Sequence, residues 1–409
     1  MKVLPFILIF LFLLIPLSAY SYIGDACDVF PVFFGTDNAG PDNGIIVFRD
    51  QNAGAWQAPR TIDTDLLDSQ WLPQRNAVGW DSVGKWNVSF IEATGNDLEV
   101  WESADDGWQD DAGAWAMTDS DATYNYLACD VESRQDYVHG MAFNGISVYG
   151  WYIELVTANA IVPYLIRAAT DYQFSLVMNK QLLPWHTGVL RDNVDASLVA
   201  DNAYNLGYQY IDTGIAGEYP QVVTDASNFF WMFYTNTNTL NCRTWTSTWD
   251  VGTTFSEPVG FTAVYAANTL TANYHATWLA MDDTIHVVLV DWNIGDTMTY
   301  LIYVRRTPNG WSAPVTLLTV DSNPIGGKDS LEWPQITVDA IGNIVIYYIR
   351  ADDWTVTRAG DLRAFYLDSS LYSGFANPAN WVSYTDVDQT ENLVEWCVAP
   401  DYQPISGDF

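Results

Sequence analysis

Residues 218–234 read EYPQVVTDASNFFWMFY, and residues 332–348 read EWPQITVDAIGNIVIYY. Both run Glu, aromatic, Pro, Gln, a short apolar stretch, Asp, a turn rich in Gly, Asn or Ser, and a second apolar stretch that ends in Tyr. Weaker copies read LPQRNAVGWDSVGKWNVSF (72–90) and HATWLAMDDTIHVVLV (275–290). Two runs of β-branched and aromatic residues that flank a turn predict a β-hairpin. Because the runs are nearly continuous, we expect these strands to be buried on both faces.

A second hairpin is expected after each first one, because a polar turn followed by tryptophan recurs between the copies. These turns read DQNAGAWQAP (50–59), SADDGWQ (103–109), TPNGWSAP (307–314) and, less clearly, NPANWVSY (377–384). Two hairpins make four antiparallel strands. The markers Asp225, Asp282 and Asp339 are each 57 residues apart, a length that suits one blade of a β-propeller. The sequence therefore predicts an all-β propeller of four-stranded antiparallel blades, six in number, with seven as the alternative.

The two ends of the chain predict how the ring closes. VEWCVAPD (394–401) resembles the start of another unit, whereas the N-terminal region supplies only three strands, near 28–35, 44–50 and 56–62. A C-terminal inner strand that completes the N-terminal blade would close the ring and remove exposed sheet edges. Cys27 and Cys397 would then lie on neighbouring strands and could form a disulfide.

The domain boundaries follow from the same repeat. We expect residues 22–409 to form a single propeller domain. The stretch 124–216 fits the repeat poorly, so an insertion or an irregular blade is expected within it. Its segment 164–183 is the best helix candidate of the chain and is equally compatible with strand.

Residues 1–21 have the features of a secretory signal peptide. Lys2 precedes an apolar run of about fifteen residues, and small residues follow at Ser18, Ala19 and Ser21. The run is shorter than the ~20 residues that a spanning helix needs. We therefore expect an exported protein, secreted or at the cell surface, without an integral membrane segment once the signal is cleaved.

The composition limits the partners. The net charge is −34, from 50 acidic and 16 basic residues, and such a surface repels nucleic acid. The expected partners are a glycan or an extracellular protein. Four cysteines in an exported chain allow three pairings, and the pairing of Cys129 with Cys242 stays open.

The turn at Ser103–Trp108 resembles the Asp box of sialidase-like propellers, whose pattern is Ser-x-Asp-x-Gly-x-Thr-Trp. Ser103, Asp105 and Gly107 match the pattern, but Trp108 comes early and the Thr is missing. In that family the Asp box lies on the face opposite the active site, so the resemblance implies a fold and no activity. Sialidase chemistry would need an arginine triad, and the chain has no Arg-Ile-Pro signature near its start.

Short acidic loops between blades are the candidate metal sites. Alternate carboxylates in one short loop suit Ca²⁺, which takes six to eight oxygen ligands. None of the loops has the Gly and terminal Glu of a complete EF-hand loop, and a solvated acidic turn is the competing interpretation. The candidate calcium ligands are Asp63, Asp65, Asp119, Asp121, Asp386 and Asp388.

Three glutamates are the candidate catalytic residues. Glu218, Glu332 and Glu395 each precede an aromatic residue at the start of an expected inner strand. Convergent carboxylates could serve glycoside hydrolysis, which needs an acid and a base or nucleophile. A residue repeated from blade to blade more often belongs to the scaffold, so binding is favoured over catalysis, and an enzyme of the glycoside hydrolase type stays open as the alternative.

The sequence thus predicts an exported, acidic propeller that recognises a carbohydrate or a protein. A glycan-active hydrolase or lyase working at the central funnel is the first alternative. A structural component of a cell surface or virion is the second.

Overall fold

The computed structural model describes the strands of the chain and many of the connections between them. The described residues are 33–37, 44–47, 49–50, 55–56, 60–63, 77–80, 86–103, 115–134, 137–154, 160–168, 170–178, 186–192, 197–204, 207–225, 229–245, 254–257, 263–266, 270–279, 284–293, 297–307, 310–323, 325, 329–338, 343–351 and 360–398.

The first strands of the chain belong to the closing part of the ring. They are β1 (Phe33–Asp37), β2 (Gly44–Val47), β3 (Arg49–Asp50), β4 (Ala55–Trp56) and β5 (Arg60–Asp63). The strands β1, β2 and β5 are hydrogen-bonded in that order, and β3 pairs with β4 as a separate short ribbon.

Four four-stranded antiparallel sheets follow, each built from consecutive strands. The first sheet contains β6 (Ala77–Trp80), β7 (Trp86–Ile91), β8 (Leu98–Ser103) and β9 (Trp115–Asp121). The second contains β10 (Ala128–Arg134), β11 (Tyr137–Phe143), β12 (Ser147–Glu154) and β13 (Tyr164–Ala168). The third contains β14 (Thr170–Met178), β15 (His186–Asp192), β16 (Ser197–Tyr204) and β17 (Gly207–Ala216). The fourth contains β18 (Glu218–Thr224), β19 (Phe230–Asn236), β20 (Thr239–Trp245) and β21 (Tyr265–Ala266).

Two larger sheets complete the described fold. One contains β22 (Leu270–Leu279), β23 (Thr284–Asn293), β24 (Met298–Thr307), the two-residue β25 (Gly310–Trp311) and β26 (Val315–Asp321). The other begins with β27 (Ser330–Val338), β28 (Ile344–Ala351), β29 (Gly360–Leu367) and β30 (Val382–Val398) and continues into β1, β2 and β5. Two short 3-10 turns, Ser369–Gly374 and Pro378–Asn380, connect β29 to β30.

The strand β30 serves two units. Its first half pairs with β29, where Tyr384 lies opposite Ala364. Its second half pairs with β1, where Cys397 lies opposite Phe34. The C-terminal segment therefore completes the N-terminal blade, as the sequence predicts. The described strands form six separate sheets of four or more strands, and the seven-stranded sheet consists of two four-stranded units that share β30.

The first strands of successive sheets form a ring. Contacts run from β6 to β10, β14, β18, β22, β27 and the C-terminal half of β30, which returns to β6. This closed all-β arrangement is a β-propeller. The stretch 124–216, where an insertion or irregular blade was expected, contains the second and third regular sheets. Its segment 164–183 contains all of β13 and β14, so its described residues form strand rather than helix.

The apolar cores lie between neighbouring sheets. One core joins Phe233 and Leu240 of the fourth sheet to Val287 and Ile302 of the fifth. Another joins Val288 and Leu301 of the fifth sheet to Ile336 and Ile346 of the sixth. Strands such as β23 and β28 are buried along nearly their whole length, which explains their continuous apolar sequences. The outer strand β26 is partly exposed instead.

No helix in the described part of the chain is long and apolar enough to cross a membrane.

Candidate functional site

The candidate site is the edge of the ring where the inner strands begin. In a four-stranded blade the chain enters each inner strand on the same face that carries the turns between the second and third strands. We use the term mouth for the segments Glu218–Gln221 and Glu332–Gln335 together with Arg191 and Arg350. Arg191 lies at the end of β15 and Arg350 at the end of β28, each the second strand of its sheet. The mouth contains both strongest copies of the Glu-aromatic-Pro-Gln motif.

The two motifs share an unusual backbone. Tyr219 has φ 52° and Trp333 has φ 47°, both in the left-handed region. This conformation is uncommon for a bulky residue, and a following proline disfavours it further. In each inner strand the pairing register shifts across the motif, between Glu218 and Gln221 and between Glu332 and Gln335. The motif is therefore a β-bulge that turns an aromatic residue out of the regular pleat.

The bulged aromatic residues are only partly buried. Tyr219 packs its ring against the apolar core between the fourth and fifth sheets. Its backbone N–H donates to Gln173 Oε1 of β14 at 2.7 Å, so the bulge is tied to the neighbouring inner strand. Trp333 is half-buried. Each motif therefore leaves part of an aromatic surface at the mouth.

Side chains of the inner strands hold the ring together near the mouth. Gln221 Oε1 accepts a hydrogen bond from the Ala276 backbone N–H of β22 at 3.0 Å. Asp130 Oδ2 of β10 accepts one from the Leu176 N–H of β14, also at 3.0 Å. Ala276 and Leu176 lie in regularly paired parts of edge strands, which have a hydrogen-bonded neighbour on one side only, so these bonds satisfy buried backbone donors that strand pairing leaves out. The Gln of the repeated motif was visible in the sequence, but its role as a bridge between blades was not.

Ion pairs border the mouth. Arg191 Nη2 lies 3.7 Å from Glu218 Oε1, and the Glu218 side chain is 54% exposed. Arg350 pairs with Asp329 just before β27. Neither arginine is predictable from the sequence, because its partner is distant along the chain and no local motif marks the pair.

The structure separates the three candidate catalytic glutamates. Glu218 is exposed at the start of β18. Glu332 is buried in β27, where its Oε1 accepts a hydrogen bond from Ser330 Oγ at 3.1 Å. Glu395 lies in β30 opposite Thr36. Around the ring, β22 stands between the strands of Glu218 and Glu332, whereas Glu332 and Glu395 belong to adjacent inner strands. The catalytic assignment stays a prediction.

The candidate calcium ligands Asp119 and Asp121 are engaged by the protein. Asp119 Oδ2 accepts a hydrogen bond from the Ile161 N–H at 2.5 Å. Asp121 Oδ1 accepts from Thr123 Oγ1 at 2.5 Å, and its Oδ2 accepts from Tyr126 Oη at 2.6 Å. Burial is the main cause that raises the pKa of the Tyr126 phenol above its ordinary value, and the hydrogen bond to Asp121 is the second. These contacts stabilise the connection between the first two blades.

The other candidate calcium ligands are less fully described. Asp63 ends β5, and Asp386 and Asp388 lie within β30, where they are described by backbone alone. Asp65 lies outside the described residues. Among the residues that are described, no group of three or more His, Cys, Asp or Glu side chains could hold a metal ion. Calcium binding remains a prediction.

The Cys27–Cys397 disulfide cannot be located, because Cys27 lies outside the described residues. Cys397 occupies the inner segment of β30 that was expected for it. Cys129 in β10 and Cys242 in β20 are buried in different sheets and do not pair with each other. Burial raises the pKa of the Cys242 thiol to about 12. Of the turn that resembles an Asp box, only Ser103 at the end of β8 is described.

Comparison with known proteins supports the fold alone. No protein-family model matches the sequence. No curated protein matches it either.

A solved protein from Lactobacillus plantarum is 10% identical, with a TM-score of 0.50 over 90% of this chain and 99% of that one. TolB from Acinetobacter baumannii is 10% identical, with a TM-score of 0.39 over 68% of this chain. The NanB sialidase from Streptococcus pneumoniae is 10% identical, with a TM-score of 0.39 over 78% of this chain. The chain spans only 61% of the TolB chain and 62% of the sialidase chain. The ring of sheets is a β-propeller, and the match to the Lactobacillus plantarum protein supports that fold.

Proposed function

We propose that the protein is an exported recognition module that binds a carbohydrate or an extracellular protein at the mouth of its propeller. The observation that carries the proposal is the repeated bulge, which holds Tyr219 and Trp333 with positive φ. A backbone strained in this way costs about 1–3 kcal/mol and tends to persist where it serves a function. Partly exposed aromatic rings offer the apolar faces on which sugar rings stack.

The polar groups around the aromatic residues support binding over catalysis. Arg191 and Arg350 are both paired with carboxylates, so their guanidinium groups are held in place by the scaffold. Such groups suit hydrogen bonding to hydroxyl or carboxylate groups of a ligand. The exposed Glu218 carboxylate adds an acceptor at the same edge. We also propose distant kinship with the sialidase-like propellers, on the strength of the Asp-box resemblance.

The test is a binding screen of the mature protein against a broad glycan panel, with retention and product release read together. Trp333→Ala should weaken retention about tenfold, the effect of one aromatic contact. Leu371→Ala is the matched control, because Leu371 is exposed on the 3-10 turn at the opposite face. Equal loss in both variants would contradict binding at the mouth.

The same screen separates the alternatives. Product release would indicate a glycan-active hydrolase or lyase and direct attention to Glu218, Glu332 and Glu395. Retention that chelator abolishes would support the calcium prediction. If no glycan is retained and the protein self-associates at high concentration, a structural surface role becomes the better account.

A further inference from the structure

The interface between the first two sheets, β6–β9 and β10–β13, contains buried polar groups without a partner among the described residues. Asn87 and Trp151 are 0% exposed and Ser89 is 1% exposed. Within the described part of the chain, no hydrogen-bond partner is found for Asn87 Nδ2 and Oδ1, Ser89 Oγ or Trp151 Nε1. A buried amide or hydroxyl without a partner costs about 1–3 kcal/mol, and native structures contain few of them.

The strand registers place these groups on two faces that pack against each other. Asn87, Ser89 and Ile91 alternate along β7 and therefore point to one face of the first sheet. Ile91 belongs to the core that contains Trp151 of the second sheet. The polar groups of Asn87 and Ser89 thus share an interface with the indole of Trp151.

The second blade is shaped to accommodate the indole. Trp151 lies opposite Gly140 in the pairing of β11 with β12. A Cβ atom on Gly140 would lie 2.2 Å from the Trp151 ring and 2.6 Å from its Nε1. The glycine therefore lets the indole lie flat across β11, with its N–H inside the interface.

We propose that this interface binds internal water that bridges Asn87, Ser89 and Trp151. An internal water makes two to four hydrogen bonds, roughly three on average. The amide and the hydroxyl each donate and accept, and the indole donates, so together they offer a water both donors and acceptors. Glu102 lies opposite Asn87 in β8 and adds a carboxylate on the same face.

The site also explains a feature of the sequence. Asn87-Val88-Ser89 is an N-glycosylation sequon. Because Asn87 is fully buried in β7, the folded protein cannot carry a glycan there. Its amide is instead free to bind within the interface.

A crystal structure of the mature protein at high resolution tests the proposal directly. We expect ordered water within about 3.2 Å of Asn87 and Trp151 Nε1, the range of ordinary hydrogen bonds. Direct contact between the polar groups, or a dry interface, would overturn the proposal. Density at about 2.3–2.6 Å from the oxygens would also overturn it, since that distance marks calcium.

Thermal unfolding gives a second readout. Asn87→Leu is similar in volume and removes the polar atoms, so it should lower Tm if the amide holds a water. It should raise Tm if the amide is unsatisfied, and that result would contradict the proposal. Thr224→Val is the matched control, because the Thr224 hydroxyl is buried without a partner in another blade. Should Asn87→Leu fail to fold, the crystal structure of the natural protein still decides.

Discussion

At the scale of the single residue, Asp225 shows why the repeat has an aspartate in its turn. The residue is buried after β18, and its Oδ1 accepts the Phe229 N–H at 2.9 Å. Its Oδ2 accepts Trp231 Nε1 at 3.0 Å, so one side chain closes the hairpin and fixes a core tryptophan. The equivalent role of Asp282 and Asp339 stays a prediction, because both lie outside the described residues.

Asp225→Ala should therefore destabilise the protein by about 1–3 kcal/mol, since the buried Trp231 Nε1 and the partly buried Phe229 N–H lose their acceptor. Urea unfolding followed by tryptophan fluorescence measures the loss. Asp212→Ala is the matched control, because Asp212 Oδ1 also accepts a turn N–H, from Gly214 at 2.9 Å, but in an exposed position. A loss no larger than that of the control would show that the buried turn is not held by its aspartate.

His286 makes stability depend on pH. It is fully buried in β23, where its Nδ1 lies 2.7 Å from Tyr303 Oη and Tyr372 packs beside its ring. Burial and then the nearby charge of Arg305 lower the pKa of His286 from 6.5 to about 3. Between pH 6.5 and pH 3, His286 is protonated in the unfolded chain and neutral in the folded protein. The free energy of unfolding therefore falls as pH drops below 6.5, and the loss is complete near pH 3.

His286→Gln should remove this contribution. Between pH 7 and pH 5 the natural protein should lose about 2 kcal/mol more unfolding free energy than the variant, from ~1.4 kcal/mol per pH unit below the unfolded pKa. Denaturant unfolding at several pH values measures both slopes, and the 50 acidic side chains affect both proteins alike. Parallel slopes would mean that His286 is protonated in the folded state.

At this scale the repeated residues are predictable from the sequence, whereas side chains paired between blades are not. Glu218 and Glu332 were found because their motif recurs. Arg191 was missed, because its ion pair with Glu218 depends on how the third blade packs against the fourth. Side-chain partners from different blades are set by the closure of the ring, which a single sequence does not display.

At the scale of the element, hairpins were predictable and their distortions were not. The repeated segments do form β18 with β19 and β27 with β28, since turn residues separate runs that can be buried on both faces. The left-handed Tyr219 and Trp333 contradict the preference of a residue before proline. At Tyr219, packing and the hydrogen bond from its N–H to Gln173 stabilise the left-handed backbone conformation that a following proline disfavours.

Gln221 tests whether such bonds hold neighbouring inner strands. Gln221→Leu keeps the volume but leaves the Ala276 N–H without its acceptor, so it should cost about 1–3 kcal/mol. Asn241→Leu is the control. Asn241 lies in β20, the third strand of its sheet, and its Nδ2 donates to the Thr239 carbonyl within the same strand. Chemical denaturation measures the loss of unfolding free energy in each variant. Equal losses would mean that bonds between blades stabilise the protein no more than bonds within one strand.

At the scale of the whole molecule, the closure of the ring was predictable from the two chain ends, whereas its blade count was not. The weak C-terminal copy at 394–401 was enough to predict an inner strand next to the N-terminal strands, and β30 pairs there with β1. The sequence leaves six or seven blades open because the stretch 124–216 fits the repeat poorly, and in the structure the continuous strand β30 completes two units at once. A repeat read along the sequence assigns each strand to one blade and cannot anticipate a shared strand.

Closure makes stability depend on a short C-terminal segment. A chain truncated after Thr390 loses the half of β30 that pairs with β1, which leaves the edge of β1 unpaired. We expect it to unfold at a clearly lower temperature and to aggregate through that edge. Truncation after Val398 is the matched control, because it keeps every residue of β30. Circular dichroism melts and size-exclusion chromatography compare the two chains. A monomeric Thr390 truncation that melts with the control would mean that the ring holds without its closing strand, and the edges at β1 would then need another cover.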